Sequence, residues 1–402
     1  MIALLAVACN RYDLFVIEDG RGVRPNQADV LFVIDNSDSM FEESVGLAEN
    51  FSRFVEQLAA RGQGYGTDGL PDAVDKYVDY VQNPAYFVDF QLAITTIDAR
   101  ADGGALRGTV LDKDDPNLAD RFVETLMCDA TCFADRRAVG TDPDYQCGDP
   151  FPGTISQQFL DCVCGQDAWI DHCGGGTEEG LESVYDAMCR AVDDPPAACF
   201  DADSPLTADA AGTNAGLIRP GSTVIPVVVT DEGDASRRMA AVDSLPAPYI
   251  DLFAELEVPT AWAVIGPSLT DEFELACPGL ATSWGTLRYE YMVQKTGGLK
   301  LDIHAPDCEG GVDWGVALQQ LGNLVGGGVR AYPLPREPVP TSIVVEVGGR
   351  TIDPAVGRGE DVFGEPVYTD GWSYDPVGFT VILHGAEVPD PGEQIRIWYL
   401  PR

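Results

Sequence analysis

Apolar residues run through the first four-fifths of this chain in two alternating textures. One is the short run that is apolar at nearly every position: VLFVI at 30–34, FVDFQLAITTI at 87–97, STVIPVVVT at 222–230 and PTAWAVIG at 259–266. All four read as strands, and the unbroken run 30–34 predicts one covered on both faces, as in parallel sheets. The other texture has helical spacing. Leu47, Phe51, Phe54 and Leu58 lie on one side of a helix that Gly62 closes. Leu181, Val184, Tyr185 and Met188 do the same for a helix opened by CGGGTEEG at 173–180. Residues 286–296 predict a further helix stopped by Gly297-Gly298, residues 299–303 a short strand, and Trp314, Leu318, Leu321 and Val325 a last helix ended by Gly326-Gly327-Gly328. Strands alternating with helices predict an α/β fold, a doubly wound and mostly parallel sheet, whose ligands sit outside the carboxyl ends of the strands.

Two stretches break this rhythm. Residues 99–173 hold six cysteines, many aspartates and little periodicity, and are expected to be a disulfide-rich insertion. After residue 333 the prolines at 333, 335, 338 and 340 lead into runs at 342–347, 350–352, 379–383 and 395–399, the first two flanking Gly348-Gly349. That is a hairpin signal in a small C-terminal all-β module. Trp372, Tyr374, Trp398 and Tyr399 in that module are expected to be core. The expected organisation is an N-terminal segment 1–9, a linker 10–27, a main domain 28–332 carrying the insertion 99–173, and the module 333–402.

Charge narrows the function. With 25 Lys and Arg against 65 Asp and Glu, the formal net charge over 402 residues is −40. Nucleic acid needs a basic footprint and is excluded on that ground, as is electrostatic docking on anionic lipid. Cysteine usage narrows the compartment. Cys9 follows the apolar MIALLAVA and resembles the lipidated first residue of a mature bacterial lipoprotein, although no Lys or Arg precedes the run. The other ten cysteines form an even set, which together with an export signal predicts five disulfides in an oxidising compartment. Cys189–Cys199 and Cys277–Cys308 are expected as local pairs, with the other six closing the insertion. No apolar run long enough to span a membrane follows the N-terminus, so membrane contact is expected only through a lipid anchor.

The chemistry concentrates at strand ends. Asp35, Ser37 and Ser39 follow the first strand at alternate positions, and alternate residues of a tight turn can point oxygens at one centre. Hard divalent cations take such oxygen ligands. One carboxylate and two hydroxyls leave a site short of ligands. Thr177, in the glycine-rich loop, and Asp231, past the end of the run at 222–230, are placed to complete it. VLFVIDNSDSM, GGGTEEGL and VVVTDEGD, in this order, resemble a von Willebrand factor A domain with a metal-ion-dependent adhesion site, over about residues 28–332. The resemblance implies that Ser37, Ser39 and Thr177 contact Mg²⁺ or Mn²⁺. It implies that Asp35 and Asp231 complete the site and that a protein partner supplies an acidic side chain at an open position. Asp38 departs from the family, many members of which have Gly there.

Other signals are weaker. The acidic runs 111–120 and 141–150 offer oxygens for Ca²⁺ but lack the full EF-hand pattern, and solvated loops are the better reading. His172, His304 and His384 lie far apart in sequence. No nucleophile-elbow, zincin or phosphate-loop pattern occurs, so an enzyme is not expected. The expectation is an exported, lipid-anchored cell-envelope protein, on the outer membrane or cell surface, that binds a protein through a metal. The alternative is a structural envelope protein in which the metal only stabilises the domain.

Overall fold

The computed structural model describes residues 27–61, 89–135, 139–149, 151–165, 173–239, 245–256, 258–267, 284–296, 298–303, 312–327, 331–334, 338–360, 366–368, 370–376, 380–384, 387, 395–400 and 402. Among the described residues two compact units separate, 27–327 and 331–402. Cys9, Cys277, Cys308, His172 and His304 lie outside the described residues.

The first unit is built on six strands: β1 (Gln27–Ile34), β2 (Asp89–Thr96), β3 (Arg107–Asp112), β4 (Thr223–Val229), β5 (Ala263–Gly266) and β6 (Leu299–Asp302). Their order is β3-β2-β1-β4-β5-β6. All neighbours are parallel except β3, which runs antiparallel to β2 at the edge. The eight described helices of this unit are α1 (Phe41–Arg61), α2 (Ala99–Asp102), α3 (Leu118–Asp129), α4 (Gln157–Val163), α5 (Gly180–Ala191), α6 (Ala247–Glu255), α7 (Trp284–Thr296) and α8 (Trp314–Gly327).

The central strands are largely apolar because most of their side chains meet one of two separate cores. Val30, Phe32 and Ile34 of β1 pack with α1, α3 and α8, while Leu31 and Val33 pack with α5, α6 and α7. β4 divides in the same way, with Val227 and Val229 on the first face and Val224 and Val228 on the second. Burying one such side chain contributes about 1.5–3 kcal/mol, so the two central strands hold the layers together.

Part of the stretch expected to be an insertion belongs to this framework. β3 extends the sheet, and Phe122 of α3 lies stacked on Phe51 at 3.6 Å and edge-on to Phe32 at 4.9 Å. β3 is an edge strand with one sequestered position, Leu111, and so shows no period in sequence, whereas α3 does show one, with Leu118, Phe122 and Leu126 at helical spacing. The remainder is stapled as expected by Cys128–Cys164, Cys132–Cys173 and Cys147–Cys162, and Cys189–Cys199 forms the predicted local pair. Four disulfides fit a protein that matures in an oxidising compartment outside the cytosol. Among the described residues no helix is long and apolar enough to cross a membrane.

Among its described residues the second unit is built of strands with a 3₁₀ turn at Pro340–Ser342. Three small antiparallel sheets contain β7 (Ala331–Pro333), β8 (Val344–Val347), β9 (Arg350–Ile352), β10 (Gly357–Glu360), β11 (Pro366–Tyr368), β12 (Gly371–Asp375), β13 (Thr380–His384) and β14 (Ile395–Trp398). The β8–β9 hairpin turns through Gly348 and Gly349, both with positive φ, the conformation that a two-residue turn of this hand requires. Trp372 and Tyr399 are core, with Trp372 Nε1 donating to the Ile352 carbonyl at 2.9 Å; Tyr374 and Trp398 are half-buried.

Candidate metal centre

The chain leaves β1 toward β2 and β3 on one side, and later fills β4, β5 and β6 on the other. The crevice of such a sheet lies where the direction reverses, outside the carboxyl ends of β1 and β4. Asp35 and Asp231 stand there.

Asp35 is placed by backbone first. Its N–H donates to the Val229 carbonyl at 2.9 Å, continuing the β1–β4 ladder one residue past the strand. Its carboxylate then organises the turn. Oδ1 accepts the Ser37 N–H at 2.9 Å, and Oδ2 accepts the Thr230 hydroxyl at 2.7 Å. Ser37 and Ser39 follow with their hydroxyl oxygens 3.0 Å apart, so the two expected hydroxyl ligands are neighbours. Met40, buried, pins the turn to the core before α1 begins. Asp38 opens the single 3₁₀ turn Asp38–Met40. Among the described residues Asn117 is the one non-glycine with positive φ. The turn therefore makes no demand for Gly at 38, and Asp38 points its charge to solvent at the amino end of a helical turn, where it is favourable.

Thr177 sits between two sets of anchors. Before it, the Gly174 N–H donates to the Asn36 carbonyl at 2.9 Å and the Gly175 N–H to Asp98 Oδ2 at 2.8 Å. After it, the Glu178 carbonyl accepts the Ala235 N–H at 2.6 Å and the Glu179 N–H donates to the Ile97 carbonyl at 3.1 Å. The loop thus ties together the segments that follow β1, β2 and β4. Gly174 is required by contact: a Cβ there would stand 2.7 Å from Asn36 Oδ1. Gly176 has φ of +66°, a conformation suited to glycine.

The electrostatics are one-sided. Burial, with the nearby Asp231 charge adding to it, raises the Asp35 carboxyl to about 6 against the opposing hydrogen bonds from Thr230 and Ser37. Glu43, in the first turn of α1, is raised by burial and by the charges of Asp231, Glu42 and Asp35. Glu178, buried, is raised to about 8 by desolvation, by Asp35 and by a hydrogen bond with Glu232. The charges that perturb these three most strongly are all carboxylates. Among the buried oxygens left without a hydrogen-bond partner are two carboxylate oxygens at this site, Asp231 Oδ1 and Glu43 Oε2. Buried carboxylate oxygens are costly unless paired or coordinated; a divalent cation would satisfy Asp231 Oδ1, which belongs to the expected set Asp35, Ser37, Ser39, Thr177 and Asp231, whereas Glu43 lies outside that set. The donors are mixed hydroxyls and carboxylates; among the described residues no group of three His, Cys, Asp or Glu has metal-ligating spacing.

The behaviour of Asn36, Asp98, Glu43 and Glu178 is not visible in the metal motif, because each acts through an element distant in the chain. Tyr289 is similar: from α7 its hydroxyl reaches Gly180, where an added Cβ would meet it at 2.3 Å.

The acidic runs elsewhere spend their oxygens on their own turns. Asp112 Oδ1 accepts the Asp114 N–H, Asp115 Oδ2 the Asp112 N–H, Asp142 Oδ1 the Asp144 N–H and Asp149 Oδ2 the Gln146 N–H. His384 lies in the second unit, its Nε2 2.7 Å from Ser373 Oγ.

No family model and no curated protein matches the chain. Similar solved structures include proximal thread matrix protein 1 from the mussel byssus, at 11% identity and TM-score 0.28, covering 76% of this chain and 48% of that one. A von Willebrand factor type A protein from Catenulispora acidiphila matches at 11% identity and TM-score 0.31, covering 94% and 58%. Human COPII-coat protein Sec24c matches at 11% identity and TM-score 0.32, covering 94% and 39%. The chain thus spans between 39% and 58% of the length of these three. Likeness at this level carries no weight for function, which has to rest on the site.

Proposed function

We propose that this is an exported cell-envelope protein that binds a protein partner through a divalent cation, of the type found in von Willebrand factor A domains. The observation that carries the proposal is the orphaned, buried Asp231 Oδ1 beside Asp35 and the paired hydroxyls of Ser37 and Ser39. Mg²⁺ or Mn²⁺ is the expected ion, and when bound it supplies a concentrated positive charge that draws an acidic side chain of the partner. Thr230 and the Ser37 N–H hold the Asp35 carboxylate in place, while the loop anchored on Asn36 and Asp98 presents Thr177. Attachment through a lipid on Cys9 belongs to the same proposal.

The net charge of −40 opposes an acidic partner at long range. Screening confines that repulsion to about 8 Å at physiological salt, and a bound ion dominates the field at the mouth. Association should therefore quicken as salt rises from low ionic strength.

Capture of partners from the native cell surface tests the proposal. Wild-type protein should retain an interactor in Mg²⁺, lose it in chelator, and lose it in Asp231→Ala under both conditions. Capture that ignores both chelator and Asp231→Ala, while Mg²⁺ still raises the melting temperature, would make the ion purely structural.

A further inference from the structure

We propose that the Cys132–Cys173 disulfide and Asp98 are positioning groups that set the affinity of the metal site by clamping the loop that carries Thr177. This rests on the metal reading above and adds a control that no ligand residue supplies.

Three glycines in a row, Gly174 to Gly176, separate Cys173 from Thr177. Glycine loses more backbone freedom on ordering than any other residue, so although Glu178 and Glu179 anchor the carboxyl side of Thr177, its amino side is placed only if the glycine run is held too. It is held at three successive points. Cys173 is bonded to Cys132, which is buried just beyond the end of α3, a helix packed on the main core through Phe122 and Leu126. Gly174 donates to Asn36, one residue past Asp35. Gly175 donates to Asp98 Oδ2, while Asp98 Oδ1 accepts the Ala101 N–H at the start of α2. Asp98 is buried and follows β2. The clamp therefore refers the Thr177 loop to two rigid elements, α3 and the end of β2, without touching the ion.

The other two disulfides of the stapled region differ. Cys147–Cys162 and Cys128–Cys164 fasten α4 and its approach; neither adjoins the glycine run. They serve as internal controls for general loss of stability.

Mn²⁺ titration followed by electron paramagnetic resonance tests this on the full chain, with thermal melting recorded in parallel. Cys132→Ala/Cys173→Ala should weaken Mn²⁺ binding about tenfold or more, the scale on which outer-shell partners act on metal affinity. Cys147→Ala/Cys162→Ala should lower the melting temperature and leave Mn²⁺ affinity at the wild-type value, short of the tenfold loss that marks an outer-shell partner. Asp98→Ala, which keeps every disulfide, gives a second route if the first double variant does not fold; it should also weaken binding, and Asp98→Asn, with one acceptor oxygen left for two N–H groups, should fall between. If Asp98→Ala, together with any folded Cys132→Ala/Cys173→Ala protein, binds like wild type, the clamp is overturned and the site stands. Equal weakening by the Cys147→Ala/Cys162→Ala control also overturns it. Wild-type protein that takes up no Mn²⁺ overturns the site and the clamp together.

Discussion

β1 carries a buried aspartate near each end, and the two are treated oppositely. At the amino end Asp29 is matched. Arg219 donates to it from the backbone N–H at 2.7 Å and from Nε at 2.6 Å, and Ser222 adds its hydroxyl. The same guanidinium goes on to Asp89 and to the Ala28 and Asp89 carbonyls. At the carboxyl end Asp35 has hydrogen bonds but faces further carboxylates, and Asp231 Oδ1 beside it has no partner. Burial raises both carboxyls; Arg219 and its neighbours pull Asp29 back, whereas the Asp231 charge pushes Asp35 further. One strand thus shows a completed ion pair and an uncompleted one. The difference teaches that burial alone does not mark a site: of these two carboxylates, the one at the candidate site faces further carboxylates where the other faces a guanidinium.

Breaking the completed end should have the largest effect. Arg219→Ala strands Asp29 in the core, and removing one partner of a buried pair costs about 3–5 kcal/mol. Urea unfolding should show that loss, and Mg²⁺ should leave it unrepaired, because the damage lies at the other end of the strand.

The uncompleted end should respond to pH with a definite sign. Asp35 titrates at about 6 when folded and near 4 in an unfolded chain. The native state then holds the extra proton between those values, so metal-free stability falls as pH climbs from about 4 to about 6 and stays lower above it, by about 3 kcal/mol. Asp35→Asn should flatten that part of the profile. Saturating Mg²⁺ should offset the fall in wild type only, since the ion favours the ionised carboxylate. No comparable Mg²⁺ effect should follow from Asp29→Asn.

A smaller change should come from Gly174→Ala. The new Cβ must displace the buried Asn36 side chain, and overpacking of this kind costs about 1–3 kcal/mol. The expected readout is weaker Mg²⁺ binding with Asp29 and its partners undisturbed. Smallest of all is Asp38→Gly, at an exposed position with ordinary helical backbone, which should shift stability by no more than about 0.5 kcal/mol.

Much of this was legible in the residues. VLFVI and VIPVVV declared strands apolar on both faces, and two buried cores account for them. The helical spacing of Leu181, Val184, Tyr185 and Met188 found the buried side of α5, and the short span from Cys189 to Cys199 found its disulfide. β3 was not legible, because an edge strand with one sequestered side chain carries no period. Phe122 was legible in principle, since Leu118, Phe122 and Leu126 fall at helical spacing, but the aspartates around them read as loop; its stacking on Phe51, 71 positions earlier, was not legible. Within the site, Asp35, Ser37 and Ser39 announced themselves by spacing. Asn36, Asp98 and Glu178 did not, since their contacts exist only once three strand ends meet.

Calorimetric titration of Mg²⁺ into the full chain at neutral pH, wild type against Asp231→Ala, is the most direct test of the uncompleted end. Saturable uptake of one ion per chain by wild type, abolished in a folded Asp231→Ala protein, is the predicted result. No uptake by wild type, or the same uptake by both, would contradict it.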